Sequence, residues 1–127
     1  MIILLSKDGQ IEGLADIEGQ KIVYGTIAHQ EATFGKVIQV GNVNIIYSQV
    51  THQEATYGKV LKIENIDIKY GTISHQEATF GKVTEIENIS IKYGTNRHQV
   101  TYGKIIEVEN GTVSVNGVVV QIILSLK

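Results

Sequence analysis

A 23-residue internal repeat constrains the fold of this chain more than any other feature of its sequence. Residues 24–37 return as residues 70–83 with a single change, and less similar copies begin at Tyr47 and Tyr93. A histidine marks the same place in every copy, each 23 residues after the one before: His29, His52, His75 and His98. A fixed period of this length is typical of arrays in which each unit buries its apolar face on its neighbours. We therefore expect a repeat protein of about four units.

Each unit alternates apolar and polar residues with the period of two that indicates a β-strand. Residues 61–63 and 66–70 both follow this pattern, and Glu64 and Asn65 separate them as a turn. Residues 74–80 are more polar, and we expect them to form a third extended segment. The composition agrees, since 20 isoleucines, 14 valines and 10 threonines stand against 6 leucines and 5 alanines, and β-branched residues favour strands. The fold class is therefore predicted to be all-β.

Three all-β architectures fit this unit. In the first, which we favour, the chain is a β-solenoid with one 23-residue unit in each coil, and equivalent residues stack about 4.8 Å apart. Near-identical units favour it, because an axial stack uses the same residue for the same contact in every coil. In the alternative, each unit is a hairpin that turns at Glu-Asn, and the units form an antiparallel β-meander or barrel. A third arrangement wraps three chains into a triple-stranded β-helix.

Stacking predicts three ladders of side chains along the solenoid. Asparagines at the turn would form a hydrogen-bonded amide ladder, and two aromatic rows would stack their rings. The predicted ladder residues are Asn42, Asn65, Asn88 and Asn110, then Tyr24, Tyr47, Tyr70 and Tyr93, and finally Phe34, Tyr57, Phe80 and Tyr102. We also expect residues 1–18 and 111–127 to be capping strands on either side of the repeat of residues 19–110, because both segments differ from the repeat.

The repeats are β-rich, lack cysteine and proline, and have glycine at their corners. In these features they resemble the triple-stranded β-helices and β-spirals of phage tail fibres and spikes. The resemblance is one of architecture and covers residues 19–110. It implies a homotrimeric virion component that forms a shaft or recognises a host surface, with other assembly subunits or a host-surface glycan as partners. It assigns no site residue.

Charge and composition exclude several classes of function. With 11 basic and 13 acidic residues the formal charge is −2, which is not the basic balance of a nucleic-acid-binding protein. The chain has no cysteine, so we expect neither a disulfide framework nor a thiolate metal site. No apolar run approaches the roughly 18 residues of a membrane span, and we predict no signal peptide. We expect a location in a virion or in the cytoplasm.

The histidine row is the candidate for chemistry. In an extended segment, a histidine and the glutamate two residues later point to the same side. The metal-ligand candidates are His29, His52, His75 and His98 with Glu31, Glu54 and Glu77. Residues stacked about 4.8 Å apart do not converge on one ion about 2 Å from each ligand. We therefore predict a solvated row, offset in charge by nearby lysines, with no metal and no cofactor.

The sequence contains no Gly-x-Ser-x-Gly nucleophile elbow, no phosphate-binding loop and no His-Glu-x-x-His motif, so we do not expect an enzyme. The function that we favour is that of a non-enzymatic structural repeat protein, an oligomeric and preferably trimeric fibre, spike or tail component. The alternative is a monomeric β binding module whose repeated His-Gln-Glu face holds a carbohydrate or a metal.

Overall fold

The computed structural model describes residues 1–17, 19 and 21–125. These residues form an all-β fold, as the period-two pattern predicts, and no helix among them could span a membrane. The strands are β1 (Ile2–Ser6), β2 (Ile11–Ala15), β3 (Ile22–Tyr24), β4 (Val37–Val40), β5 (Val43–Tyr47), β6 (Val60–Ile63), β7 (Ile66–Tyr70), β8 (Val83–Ile86), β9 (Ile89–Tyr93), β10 (Ile105–Val108), β11 (Thr112–Val115) and β12 (Val118–Ser125). They are arranged in one sheet of eight strands and one of four.

The repeats build the eight-stranded sheet, the repeat sheet, in which β3 to β10 lie in chain order and every neighbouring pair is antiparallel. Two-residue turns join β4 to β5, β6 to β7 and β8 to β9 at one end of the sheet. Longer loops follow at the other end: loop 1 (residues 25–36), loop 2 (48–59), loop 3 (71–82) and loop 4 (94–104). The edge strands of this sheet are β3 and β10.

The repeat sheet is an antiparallel meander, the alternative prediction, and the described strands do not form the favoured solenoid. The two-residue turns pair consecutive strands directly, so both strands of a unit lie in one sheet. Equivalent residues of successive repeats are then two strands apart, or about 9.5 Å, since neighbouring strands are about 4.8 Å apart. Side-chain amides do not reach across that distance, so the meander does not produce the predicted asparagine ladder. Its residues Asn42, Asn65, Asn88 and Asn110 are exposed at the turns.

Glutamates, rather than asparagines, connect the hairpin turns to their neighbours. The first turn position has a φ of +57° at Gly41, +53° at Glu64 and +51° at Glu87, a region that glycine adopts most readily. Glu87 N donates to Asp67 O at 2.9 Å, and Glu87 Oε1 accepts a hydrogen bond from Asp67 N at 2.7 Å. Glu64 makes the same pair of hydrogen bonds with the backbone of Asn44. Each of these turns is thereby tied to the preceding hairpin.

The two terminal segments form the four-stranded sheet, which we call the cover sheet, in the order β11-β12-β1-β2. β1 and β12 are parallel neighbours at its centre, with Ile3 opposite Ile122. The segments predicted as caps therefore pair with each other and pack on a face of the repeat sheet. Four residues within the predicted cap and repeat segments lie outside the described residues: Glu18, Gln20, Leu126 and Lys127.

The hydrophobic core lies between the two sheets and covers only part of the repeat sheet. The fully or nearly fully buried residues are Ile3, Leu5, Val120 and Ile122 of the cover sheet, with Ile63, Ile66, Ile68, Tyr70, Val83, Ile86, Ile89, Ile91 and Tyr93 of β6 to β9. At one repeat position, Ile22 of β3 is 49% exposed, whereas Ile68 of β7 is 3% exposed and Ile91 of β9 is 5% exposed. The inner face is therefore covered at β6 to β9 and open at β3.

Candidate functional site: the loop end of the repeat sheet

The loops carry the repeated polar side chains, and each loop is folded by its own backbone hydrogen bonds. In loop 3, Gln76 N donates to Ile73 O at 2.9 Å, and Phe80 N donates to Gln76 O at 3.0 Å. Gly71 N donates to Lys82 O at 2.9 Å, which closes the loop where β7 and β8 meet. Residues 74–80 are therefore a series of turns, and the extended segment predicted there is not formed, because these short-range hydrogen bonds require a folded backbone.

Three of the four loops have a glycine at the position where the loop closes on itself. A Cβ atom at Gly71 would lie 2.3 Å from the carbonyl oxygen of Thr79, and the equivalent glycines of loops 1 and 4 approach their own loops equally closely. Loop 2 has Ser48 at this position, and the buried hydroxyl of Ser48 lies 3.5 Å from that of Thr56. In loops 1, 3 and 4 the glycine at this position forms a parallel β-bridge with the aromatic residue at the far side of its own loop, and the described residues of loop 2 form no such bridge. A serine thus fits only with a local adjustment of loop 2.

The metal-ligand candidates lie in these turns and do not converge. All of them are exposed: His29, His52, His75, His98, Glu31, Glu54 and Glu77. Within residues 1–17, 19 and 21–125, no group of three or more such side chains is arranged to hold a metal ion. Glu77 instead lies 3.6 Å from the guanidinium of Arg97 in loop 4. The expectation that each histidine and glutamate share one side of a strand fails, because these residues are not in strands.

Three contacts connect each loop to the next one along the sheet. Lys59 Nζ donates to Gly81 O at 2.5 Å and lies 5.6 Å from the centre of the Tyr70 ring. Tyr70 Oη donates to Val60 O at 2.7 Å. We name this set of lysine, tyrosine, glycine carbonyl and valine carbonyl the loop clasp. The other two clasps are Lys36 with Tyr47, Gly58 and Val37, and Lys82 with Tyr93, Gly103 and Val83.

Burial determines the electrostatics of the clasp. Burial raises the pKa of the phenols of Tyr47, Tyr70 and Tyr93, and negative charges on neighbouring groups raise it further for Tyr70 and Tyr93. These phenols therefore remain protonated hydrogen-bond donors at neutral pH. Burial lowers the pKa of Lys59, while a carbonyl oxygen and an aromatic face take the place of part of its water.

Two equivalent grooves separate neighbouring loops. One is lined by residues 52–56 of loop 2 and by Thr72 and Phe80 of loop 3. The other is lined by residues 75–79 of loop 3 and by Thr95, Arg97 and Tyr102 of loop 4. Each groove places the His-Gln-Glu-Ala-Thr segment of one loop against an aromatic ring of the next. Aromatic rings beside amide, carboxylate and imidazole groups can pack on a sugar ring and bond to its hydroxyls.

The residues predicted for the two aromatic ladders recur at equivalent positions, and three of the tyrosines have partners other than the predicted ring stack. Tyr47, Tyr70 and Tyr93 contact a lysine and a valine carbonyl. Sequence reasoning assigned the lysines only to charge balance and missed their place in the clasp. The available signal was that Lys36, Lys59 and Lys82 recur with the period of the tyrosines and directly precede a strand.

The chain was compared with known protein families, with curated proteins and with solved structures, and none of them matches it. The candidate functions are therefore argued from the geometry of the chain itself. Two features of the loop end carry that argument: the loop clasp between successive loops and the grooves beside it.

Proposed function

We propose that this chain is a non-enzymatic structural repeat protein that builds an oligomeric fibre, spike or tail component. The observation that supports the proposal is the loop clasp, which is made by the same groups at three successive junctions. A contact that recurs between units extends a surface, as in repeat proteins. A catalytic site, in contrast, is usually one asymmetric pocket. The repeated lysines and tyrosines thus serve to hold unit to unit.

The oligomer that we propose is a homotrimer in a virion, the state that the resemblance to phage tail fibres implies. Its support in the fold is the open repeat sheet, whose edge strands are β3 and β10. Edge strands have unpaired backbone groups that can pair with another chain. Both edges also have exposed apolar side chains, with Ile22 on β3 49% exposed and Ile106 on β10 58% exposed.

Sedimentation velocity of the purified protein, from low micromolar to millimolar concentration, tests this proposal. We expect a species three times the mass of the 14.0 kDa chain, and elongated particles by negative-stain electron microscopy. A monomer at every concentration would contradict the proposal. A stable oligomer of another size would retain the structural role and replace the trimer.

The inter-loop grooves favour a second candidate function, the binding of a carbohydrate by a monomer. The ring of Phe80 lines the groove between loops 2 and 3, while the equivalent Phe34 is 54% exposed on loop 1, which has no loop before it in the sheet. The repetition of the groove would give a low-affinity site the benefit of multivalency.

A glycan array followed by calorimetry tests the second candidate, with Phe80→Ala and Phe34→Ala as a matched pair. If the grooves bind sugar, Phe80→Ala should weaken binding to the groove between loops 2 and 3 at least about tenfold, since an aromatic contact of about 1.4 kcal/mol corresponds to that factor. Phe34→Ala removes the same ring outside any groove between two loops and should leave affinity unchanged. The absence of glycan binding, or an equal loss in both variants, would contradict the binding function.

A further inference from the structure

The repeat sheet contains half of a loop clasp at each of its two ends. At the β10 end, Lys104 stands where Lys36, Lys59 and Lys82 stand in the other loops. Those three lysines are half-buried, whereas Lys104 is exposed, and among the described residues its ammonium contacts neither a glycine carbonyl nor a tyrosine ring. The lysine half of a fourth clasp is therefore present without its tyrosine half.

The β3 end contains the complementary half. Tyr24 stands at the position of Tyr70 but is 52% exposed, against 8% for Tyr70. Gly35 stands at the position of Gly81. A Cβ atom at Gly81 would lie 2.9 Å from Lys59 Nζ, whereas one at Gly35 would meet nothing within 4 Å. The ring and the carbonyl of a clasp are thus in place at this end, and no lysine of the described chain reaches them.

Apolar side chains beside the two half clasps are also complementary. Phe34 in loop 1 is 54% exposed, while its equivalent Phe80 faces loop 2 across the groove that both line. Val100 in loop 4 is 88% exposed. The ring of Phe34 therefore has no preceding loop beside it, and Val100 of loop 4 has no ring from a following loop beside it.

The direction of the edge strands permits the two ends to meet. Neighbouring strands alternate in direction from β3 to β10, and the sheet has an even number of strands, so its first and last strands are antiparallel. A second copy placed with its β3 beside β10 of the first copy would continue the antiparallel order. Strands added at a free edge in this way gain backbone hydrogen bonds.

We propose that a second copy of this chain docks head to tail on the first, with a loop clasp formed between them. Lys104 Nζ donates to Gly35 O of the second copy and lies over its Tyr24 ring. The Tyr24 hydroxyl of the second copy donates to Ile105 O, which stands where Val37, Val60 and Val83 accept the other tyrosines. Head-to-tail contacts close into a ring when the rotation permits, which would give the trimer, and otherwise extend as a filament. The inference rests on the proposed structural function and specifies the contact between copies of the chain.

Two substitutions at exposed positions disable one half each. Lys104→Glu removes the donor, and Tyr24→Ser removes the ring and the hydroxyl. We expect each variant to retain the circular dichroism spectrum of the parent and to weaken self-association at least about tenfold, the factor that corresponds to the 1.4 kcal/mol of a desolvated hydrogen bond and cation–π contact. Lys69→Glu makes the same change of charge at an exposed position in the middle of the sheet and should leave self-association unchanged.

Mixing the two variants gives the decisive result in sedimentation velocity. The Lys104→Glu chain keeps a normal Tyr24 end, and the Tyr24→Ser chain keeps a normal Lys104 end. One clasp can therefore still form between the two chains, and the other two ends cannot form one. We expect a one-to-one dimer that does not extend further. An oligomer unaffected by both substitutions would overturn the head-to-tail contact and leave the structural function standing. A parent protein that is monomeric at every concentration would overturn both.

Discussion

The repeat sheet contains two nearly identical segments in different surroundings. Residues 24–37 and 70–83 differ at one position, yet Tyr24 is 52% exposed and Tyr70 is 8% exposed. The same contrast separates Ile22 from Ile68, at 49% and 3%. The repeat itself specifies strands and loops, because these form in both segments. The burial of its apolar face is specified by the unlike terminal segments, which build the cover sheet.

The comparison also separates two sources of stability. At β6 to β9 a side chain of the inner face gains from burial under the cover sheet and from neighbouring strands on both sides. At β3 the same side chain has one neighbouring strand and no cover. Matched substitutions at equivalent positions can therefore measure what the cover sheet and the clasp contribute, since the residue type and the local backbone stay constant.

The largest difference is expected for the isoleucine of the inner face. Ile68→Ala should lower the free energy of unfolding by about 2–5 kcal/mol, because it leaves a cavity between the sheets. Ile22→Ala should lower it by less than about 1 kcal/mol, as is usual at exposed positions. Urea denaturation followed by circular dichroism measures both values. Equal losses in the two variants would show that β3 is covered in solution, by the cover sheet or by a second chain.

The next difference isolates the clasp. Gly35 and Gly81 have positive φ angles of +76° and +73°, so alanine introduces similar backbone strain of about 1–2 kcal/mol at either position. At Gly81 the added Cβ atom also meets Lys59 Nζ at 2.9 Å. We expect Gly81→Ala to cost about 1 kcal/mol more than Gly35→Ala, the value of one hydrogen bond. Thermal denaturation of both variants checks this, and identical shifts would contradict a stabilising clasp.

The part of the fold that could be predicted from the sequence is the part that is local. Alternation at residues 61–63 and 66–70, with a turn at Glu64 and Asn65, predicts a hairpin, and the structure contains it. Two features of the fold could not be predicted in this way. The choice between stacked coils and paired hairpins depends on whether the two strands joined by each loop pair with each other in one sheet. The turns of residues 74–80 depend on backbone hydrogen bonds that polar side-chain patterns do not reveal.

The candidate site was predicted as a set of positions rather than as a set of contacts. The tyrosines were identified by their period, but the lysines that contact them come from the preceding loop. Lys59 reaches Gly81 and Tyr70 because neighbouring loops lie side by side at one end of a meander. In a solenoid the same residues would have stacked on their own equivalents. The contacts follow from the topology, so they could not be assigned before it.

Alkaline pH should destabilise the covered region. Burial raises the pKa of Tyr70 and Tyr93 in the folded chain, while in the unfolded chain tyrosine ionises near pH 10. Their contribution to stability is therefore complete below about pH 10 and is lost as the pH rises further, by at most about 1.4 kcal/mol per pH unit for each phenol. The pKa of Lys59 is lowered, so just below the usual lysine pKa this group makes stability rise with pH, which opposes the effect of the tyrosines. Lys59 is half-exposed, and its effect is therefore smaller.

Urea denaturation in steps from pH 8 to 11 measures this dependence, with the double variant Tyr70→Phe and Tyr93→Phe as the control. The double variant should lose about 1 kcal/mol for each hydroxyl at pH 8 and should then decline less steeply than the parent. An equally steep decline would mean that the phenols ionise in the folded chain, and that the clasp tolerates their charge.

The smallest effects are expected at the hairpin turns, where the two regions should not differ. Asn42 and Asn88 are exposed at equivalent turns, which join β4 to β5 and β8 to β9. Each Asn→Ala substitution should change the free energy of unfolding by no more than about 0.5 kcal/mol.

Glu87→Ala removes the carboxylate that accepts from Asp67 N and should cost about 1 kcal/mol. If Asn88→Ala were more damaging than Glu87→Ala, the amide of Asn88 would be hydrogen-bonded to a neighbouring turn, as in the predicted asparagine ladder. A small and equal effect at Asn42 and Asn88 would confine the difference between the regions to the inner face and the loop end.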